Sequence, residues 1–439
     1  IFFGPPITAS QSMSMGPLIK AEAWMPVAID LPFESDQRWD PTRHHLLRLD
    51  PGRQEGVRWQ IRKLVLREAS HAEIANRKEA QSIRRKKEET SNLIDAFYQT
   101  PKPWQLTSVR HVSDAIRLEG MSASKDVAAP YWVEIPFYWN PSQPVEPLRQ
   151  DKLHLHADGS WKQTLPVGSD PELSLLSRWA IATYQEGTWN LLTHPHYVEP
   201  KQAPGTNTME PITSQTRKGM GGAWSNDILE ELVELGVGHI TVNILLNQLI
   251  TSQPRNGWPS LTYGQQTWAV SPDQSERLDR LIRFATQHQM VVSAILLIAW
   301  DKSKTEDAMR HPEAERAGRY AMPNLTDQEG IAAYSAAIDW LTRRYAQPGD
   351  PFGRISNWIL HNEIDYGWVW TNMGQQPMGL YLDHYLRSMR LVHTMARRYN
   401  PHARVFVSLT HHWTKELDPT WKTCAPKDIL EWLSTASRV

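Results

Sequence analysis

The segment Ile355-Ser-Asn-Trp-Ile-Leu-His-Asn-Glu363 is a short apolar run that ends in three side chains capable of chemistry: His361, Asn362 and Glu363. Ile364-Asp-Tyr-Gly-Trp-Val-Trp370 follows at once. A run of this kind reads as a buried parallel strand whose last residues emerge at a rim. In barrels of alternating strands and helices, reacting groups sit at the C-terminal ends of the strands. A carboxylate beside an amide, with Asp365, Trp368 and Trp370 close behind, suits acid/base work on a sugar. A glutamate that merely opens a surface loop has the same local pattern, so the rest of the chain must decide.

Other apolar runs end in similar groups. One ends near Asn247-Gln248, one at Trp300-Asp301, and one at Thr410-His411-His412-Trp413. Most of the 20 tryptophans are expected in the core or anchoring loops. Trp300, Trp368, Trp370 and Trp413 are weighted toward substrate contact because they follow strand ends. Asp301, Asp365, His411 and His412 contain ligand types for zinc. Adjacent histidines on a strand point to opposite faces, however, so no metal and no cofactor is expected. His411 and His412 read instead as hydrogen-bond partners for sugar hydroxyls. The G-x-S-x-G elbow of a serine hydrolase is missing. Lys218-Gly-Met-Gly-Gly222 matches neither dinucleotide nor phosphate-loop spacing, and reads as a tight backbone approach beneath the site.

The elements that must carry these groups begin near residue 217. Helical spacing covers Asn226 to Leu235, Ser275 to Gln287, Gln328 to Tyr345 and Gly379 to Tyr399, with a last helix from Pro426. Gly236 stops the first of these. Strands are expected at Lys218–Gly222, His239–Leu246, Met290–Ile298, the run ending at Glu363, and Ala403–Leu409. A loop carrying Trp258 and Trp268 joins the second strand to its helix. Alternation with helices of this length implies parallel strands. The predicted fold is α/β: a (β/α)₈ barrel with about five units present, preceded by a β-rich accessory region. An open doubly wound sheet is the rival.

Residues 1–67 read as a β-rich, carbohydrate-binding-like region with a period-two strand over Val57–Leu66. Residues 68–100 read as a charged, solvated linker helix with Arg84/Glu88 and Arg85/Glu89 at helical spacing. Residues 101–205 return to short strands, clearest at Trp132–Pro136 and Ser177–Thr183, and 204–216 read as a loop. A net charge of −1 gives no pull toward nucleic acid or anionic membrane. No apolar run approaches the ~20 residues of a membrane span. The single cysteine, Cys424, excludes a disulfide framework.

Asn362-Glu363 at the end of the fourth strand resembles the large clan of retaining TIM-barrel glycoside hydrolases. More narrowly, Lys218–Gly222 with Trp358–Glu363 is similar to a group of glycosidase-like bacterial barrels with β-rich N-terminal regions. The resemblance covers about residues 217–439. It implies Glu363 as acid/base catalyst and Asn362 as its positioning partner. It also implies a carbohydrate substrate, and a secreted or periplasmic setting. Its nucleophile is a second glutamate at the end of strand seven, which is expected beyond Val439. Glu416 and Glu431 are poor stand-ins, so residues 1–439 alone are expected to be inactive. The alternative is a non-catalytic carbohydrate-binding protein on the same scaffold.

Overall fold

The computed structural model describes residues 2–4, 46–48, 67–123, 129–168, 171–199, 210–222, 228–300, 307–418 and 420–438. Val57–Leu66 and Asp301 therefore lie outside the described residues. The chain divides into two compact units, 1–76 and 77–439. In the first, Phe2–Gly4 pairs antiparallel with Leu46–Arg48. Arg67 and Glu73 form an ion pair at 2.7 Å at the start of the long helix α1 (His71–Gln99).

In the second unit, α1 is more than a solvated linker. Arg84/Glu88 and Arg85/Glu89 do pair on its exposed side, at 3.4 and 3.7 Å. Its other side is packed. Ile94 is fully buried, Lys87 binds Glu313 at 2.6 Å, and Tyr98 donates to Asp383 at 2.8 Å. A charge pattern reports only the wet face of a helix. Here the dry face is set by a few apolar residues near the C-terminal end.

Two antiparallel sheets follow. One orders Gln105–Val112, Ala115–Met121 and Ser160–Pro166. The other is built around Tyr131–Ile135 and Arg178–Gln185. Period-two alternation sends Leu106, Ile116, Leu118 and Trp161 from the first, and Trp132, Trp179 and Ile181 from the second, into one shared core. Gly120 is fixed by this packing, since a Cβ there would lie 2.2 Å from the Trp161 ring. The second sheet buries Val133, Ile135, Ala180 and Ala182 on its other face, near Phe97 of α1.

The rest is mixed α/β. Five strands pair in parallel in strict chain order: β1 (Gly219–Met220), β2 (His239–Leu245), β3 (Val291–Ala299), β4 (Asn357–Leu360) and β5 (Arg404–Val407). The connecting helices are α2 (Leu229–Glu234), α3 (Pro272–Gln287), α4 (Gln328–Arg344) and α5 (Met378–Tyr399), with α6 (Pro426–Ala436) after β5. Helix α3 starts three residues before the expected Ser275. The Ser271 side chain accepts from Gln274 N–H, and Pro272 takes the first turn. Helix α2 ends in a left-handed Gly236 at φ +64°. Gly236 N–H donates to Val233 O and Val237 N–H to Leu232 O, both at 2.9 Å, a Schellman pair.

The two faces of this sheet differ. Ile240, Val242 and Ile244 of β2, Val292, Ala294 and Leu296 of β3, and Trp358 and Leu360 of β4 are buried in one core with helix residues such as Leu278, Ile282, Ile331 and Leu382. On the opposite face Thr241, Ser293 and Asn357 form one register row, and Asn243, Ile295, Ile359 and Phe406 the next. Those residues are half-buried or exposed. Among the described residues the sheet does not close.

Two expectations need correction here. The expected loop with Trp258 and Trp268 holds a three-stranded antiparallel sheet of Ile250–Thr251, Ser260–Tyr263 and Gln266–Val270. Its two-residue turn, Gly264-Gln265, was the signal to read, because glycine supplies the positive φ of +58°. The tight approach expected at Lys218–Gly222 is not found either. A Cβ on Gly219 or Gly221 would meet its nearest neighbours at 3.6 and 3.8 Å, ordinary contact distances. Gly222 is instead held open at φ +68°, donating its N–H to Thr241 Oγ1 at 2.8 Å. Among the described residues no helix is long and apolar enough to cross a membrane.

Candidate functional site

Strand β4 ends at Leu360, and the next three residues separate by burial. His361 turns back into the core, at 1 % exposure. Its Nδ1 lies 2.7 Å from Leu296 O on β3, and its Nε2 lies 3.1 Å from Ser388 Oγ on α5. Tyr334 of α4 completes that chain, 2.9 Å from Ser388 Oγ. Burial pushes the His361 imidazole down to about 4, against the hydrogen bond to Leu296 O, so the ring is neutral at pH 7. His361 is thus a fastener between strand and helices, not a rim residue.

Asn362 and Glu363 stay half-buried. The Asn362 carbonyl accepts from Thr371 Oγ1 at 3.1 Å. Glu363 sits in the left-handed region, at φ 39° and ψ 63°. That conformation costs a residue other than glycine about 1 kcal/mol or more, and persists only where neighbours over-determine it. They do so here. Glu363 N–H points to Ser408 Oγ at 3.3 Å, Ile364 N–H donates to Ser408 O at 3.1 Å, and Tyr366 N–H donates to Glu363 O at 2.9 Å. Tyr381 of α5 donates to Ile364 O at 3.0 Å. The backbone of Glu363 is held on several sides, yet among the described residues no side chain pairs with its carboxylate.

Asp365 does not face substrate space, because it is only 3 % exposed. Its carboxylate accepts the Thr410 N–H at 2.9 Å and the Thr410 hydroxyl as well. Its carbonyl accepts Cys424 N–H at 2.9 Å. Asp365 therefore ties the loop after β4 to the loops after β5. Burial, together with Glu416, Asp365 and Asp428, pushes the Cys424 thiol up to about 12, which leaves it inert.

Asn247 is also corrected. It lies in the one-turn helix Leu246–Leu249, just past β2, at 2 % exposure. Its side chain accepts Ala299 N–H at 3.0 Å and donates to Ala299 O at 2.8 Å and to Asp307. It satisfies both backbone groups at the last residue of β3, which makes it framework.

The four rim tryptophans are not equivalent. Trp300, Trp368 and Trp370 are half-buried, and Trp413 is 57 % exposed. Arg310 Cζ lies 4.7 Å from the Trp300 ring centre, and Lys422 Nζ lies 4.9 Å from that of Trp368. Tyr320 stacks on Trp370 at 6.2 Å, with Arg319 5.9 Å from the Trp370 ring. The exposed His411 ring packs on His412, centroids 4.0 Å apart, so this pair does not splay as residues on a strand would. Among the described residues no three His, Cys, Asp or Glu side chains are placed to hold a metal ion.

Sequence reasoning missed Ser408 and Thr410, which hold Glu363 and Asp365, and the cations over the rings. For the first two, the contacts to Glu363 and Asp365 span 45 residues, and no local spacing encodes them. Tyr320 was also missed: its two-residue strand Tyr320–Ala321 pairs antiparallel with Ile298–Ala299. It brings the 307–324 loop across the strand ends.

Several solved structures are loosely similar. A GH5_18 protein from Streptomyces cattleya bound to GlcNAc has 14% identity over 48% of this chain and 48% of its own, with a TM-score of 0.30. The β-glycosidase from Thermosphaera aggregans has 12% identity over 43% of each chain, with a TM-score of 0.27. A pullulanase, SAP of GBS, bound to maltotetraose has 13% identity over 68% of this chain and 45% of its own, with a TM-score of 0.25. The chain spans less than half the length of each, and likenesses this loose carry no argument about fold or chemistry. No curated protein matches the sequence. The model of one family does match, over residues 210–439, a stretch that includes the whole parallel sheet and the Asn362-Glu363 end; the chain belongs to this family of unknown function, DUF5722.

Proposed function

We propose that the protein is a glycoside hydrolase of the retaining type, with Glu363 as acid/base and Asn362 as its positioning partner. The proposal includes the fold: residues 217–439 are consecutive units of a (β/α)₈ barrel. Strict 1-2-3-4-5 strand order and helices packed on one face fit a singly wound barrel. A doubly wound sheet reverses its order at a switch point and covers both faces. The observation that carries the chemistry is Glu363 itself. Its backbone is fixed in a costly conformation at the end of the fourth strand, while its carboxylate has no partner among the described residues. A buried structural carboxylate normally has a donor, as Asp365 does two residues on. A general acid must keep its carboxyl free for the leaving oxygen.

Retention needs a second carboxylate about 5–5.5 Å from the first. Glu431 pairs with Lys427 in α6, and Glu416 is exposed in a loop, so neither is assigned that role. The test is Glu363→Gln in the full-length protein, assayed on glycans and on an aryl glycoside with a good leaving group. Glycan hydrolysis falls by roughly 10²–10⁴-fold. The first step on the aryl substrate is spared, and added azide restores turnover by attacking the glycosyl intermediate. Parental hydrolysis by the variant would remove Glu363 from the chemistry. Glycan binding with no turnover by the parent protein would leave the non-catalytic alternative, a carbohydrate-binding protein.

A further inference from the structure

We infer that the glycan this rim takes is acidic, a uronate- or sulfate-bearing chain, and that Arg319 and Lys422 are the side chains that read its charge. The inference rests on the carbohydrate reading of the site. A neutral glycan subsite presents bare aromatic faces to the C–H side of a pyranose. The rings that follow the β3 and β4 ends are differently placed. Trp300 packs against the core and has Arg310 over its ring at 4.7 Å. Trp368 has Lys422 over its ring at 4.9 Å. Trp370 is stacked by Tyr320, and Arg319 lies 5.9 and 6.0 Å from those two rings. Three tryptophans from two strand ends thus each carry a cation, and a ring face under a guanidinium or ammonium is not free for a sugar. The rings act as platforms that hold positive charge at the rim.

These loops also abut the loop that carries the candidate acid/base. Arg319 N–H donates to Val369 O at 2.6 Å, and Trp368 N–H donates to Lys422 O at 3.0 Å. Both cations keep capacity for an anion. Arg319 is exposed, with no carboxylate partner among the described residues. Among the described residues Lys422 has one carboxylate partner, a loose pair 3.9 Å from an Asp418 carboxylate that also caps Thr420. Glu313, in the same loop as Arg319, is paired with Lys87 and Gln376. With a net charge of −1 for the whole chain, this run of cations is a local feature and not the overflow of a basic protein. A planar guanidinium matches carboxylate and sulfate alike, so the shared chemistry is an oxyanion on the sugar.

The experiment measures binding by titration calorimetry to full-length Glu363→Gln protein, which keeps the ligand intact. The probes are a galacturonate tetramer and its carboxyl-reduced counterpart, and a chondroitin sulfate tetrasaccharide and its desulfated counterpart. At least one acidic probe binds about 10-fold or more tighter than its partner, and added salt erases the difference. Adding Arg319→Gln removes most of that preference without changing the melting temperature, and Arg319→Lys retains part of it. Preference for the tetragalacturonate or for the sulfated probe says which oxyanion is read. Equal affinity within both pairs overturns the inference, as does a preference untouched by Arg319→Gln. The outcomes also separate the two claims. Hydrolysis of neutral glycans with no acidic preference sinks this inference and leaves the hydrolase; acidic binding with no turnover by the parent protein does the reverse.

Discussion

The ends of β2 and β4 look alike in sequence and do opposite things. Each closes an apolar run with an amide, Asn247 after one and Asn362 after the other. At β2 the chain turns into a helix, so Asn247 is carried inward and its side chain saturates the Ala299 backbone. At β4 the chain takes a left-handed step at Glu363, and Asn362 and Glu363 stay half-buried. A polar strand end is framework where the backbone beyond it folds under the sheet, and a candidate site where it is held outward. The difference lies in where the chain goes next.

That contrast can be tested from both sides. The largest effect expected is at Glu363: the Gln variant loses glycan turnover by roughly 10²–10⁴-fold, while its melting temperature stays parental. A matching drop in stability would make Glu363 framework too. Acid should strike next, at the buried histidines. Burial holds His361 and His311 down to about 4, and pushes His384 well below its usual value. In the unfolded chain these imidazoles titrate near 6.5. Stability is therefore complete above about pH 6.5 and is lost as pH falls toward 4, because the unfolded state takes up protons first. His361 and His311, shifted from about 6.5 to about 4, contribute on the order of 3 kcal/mol each over that window. Urea titrations at pH 7 and pH 4.5 check it, and equal midpoints would argue against neutral buried rings.

Asn247→Ala comes third. It leaves the N–H and C=O of Ala299 unpaired in a buried place, at a cost of roughly 2–4 kcal/mol. If the variant melts with the parent protein but loses glycan binding, the roles given to the two strand ends are reversed. The smallest effect is the sharpest. Glu363→Gly relieves the left-handed residue, so its melting temperature should equal or slightly exceed the parental one, by up to ~1 kcal/mol of stability. Activity should vanish in the same protein. A less stable Glu363→Gly would mean that the glutamate side chain is needed for folding, which the free-acid reading does not allow.

Patterns that repeat within one element were legible in the sequence. Apolar residues at helical spacing gave α3, α4 and α5 to within three residues, and Gly236 gave the stop of α2, because both depend on neighbours along the chain. The fourth-strand position of Glu363 followed from counting such elements. Side chains that act across elements were not legible. His361 looked like part of the rim and is core, since a two-residue period cannot report a turn at Leu360. Asp365 looked like a substrate contact and is held by Thr410, 45 residues away.

By itself, then, the sequence determined the strands and helices of the parallel sheet, their order, and the residue types at the strand ends, but not the hairpin sheet at 250–270. It did so through local propensity and periodicity, which act over a few residues. The tertiary structure alone decided which polar ends are consumed by backbone, which helix face of α1 is dry, and which tryptophans carry a cation. Those outcomes depend on hydrogen bonds and ring contacts between loops far apart in the chain, where burial makes an unpaired polar group costly.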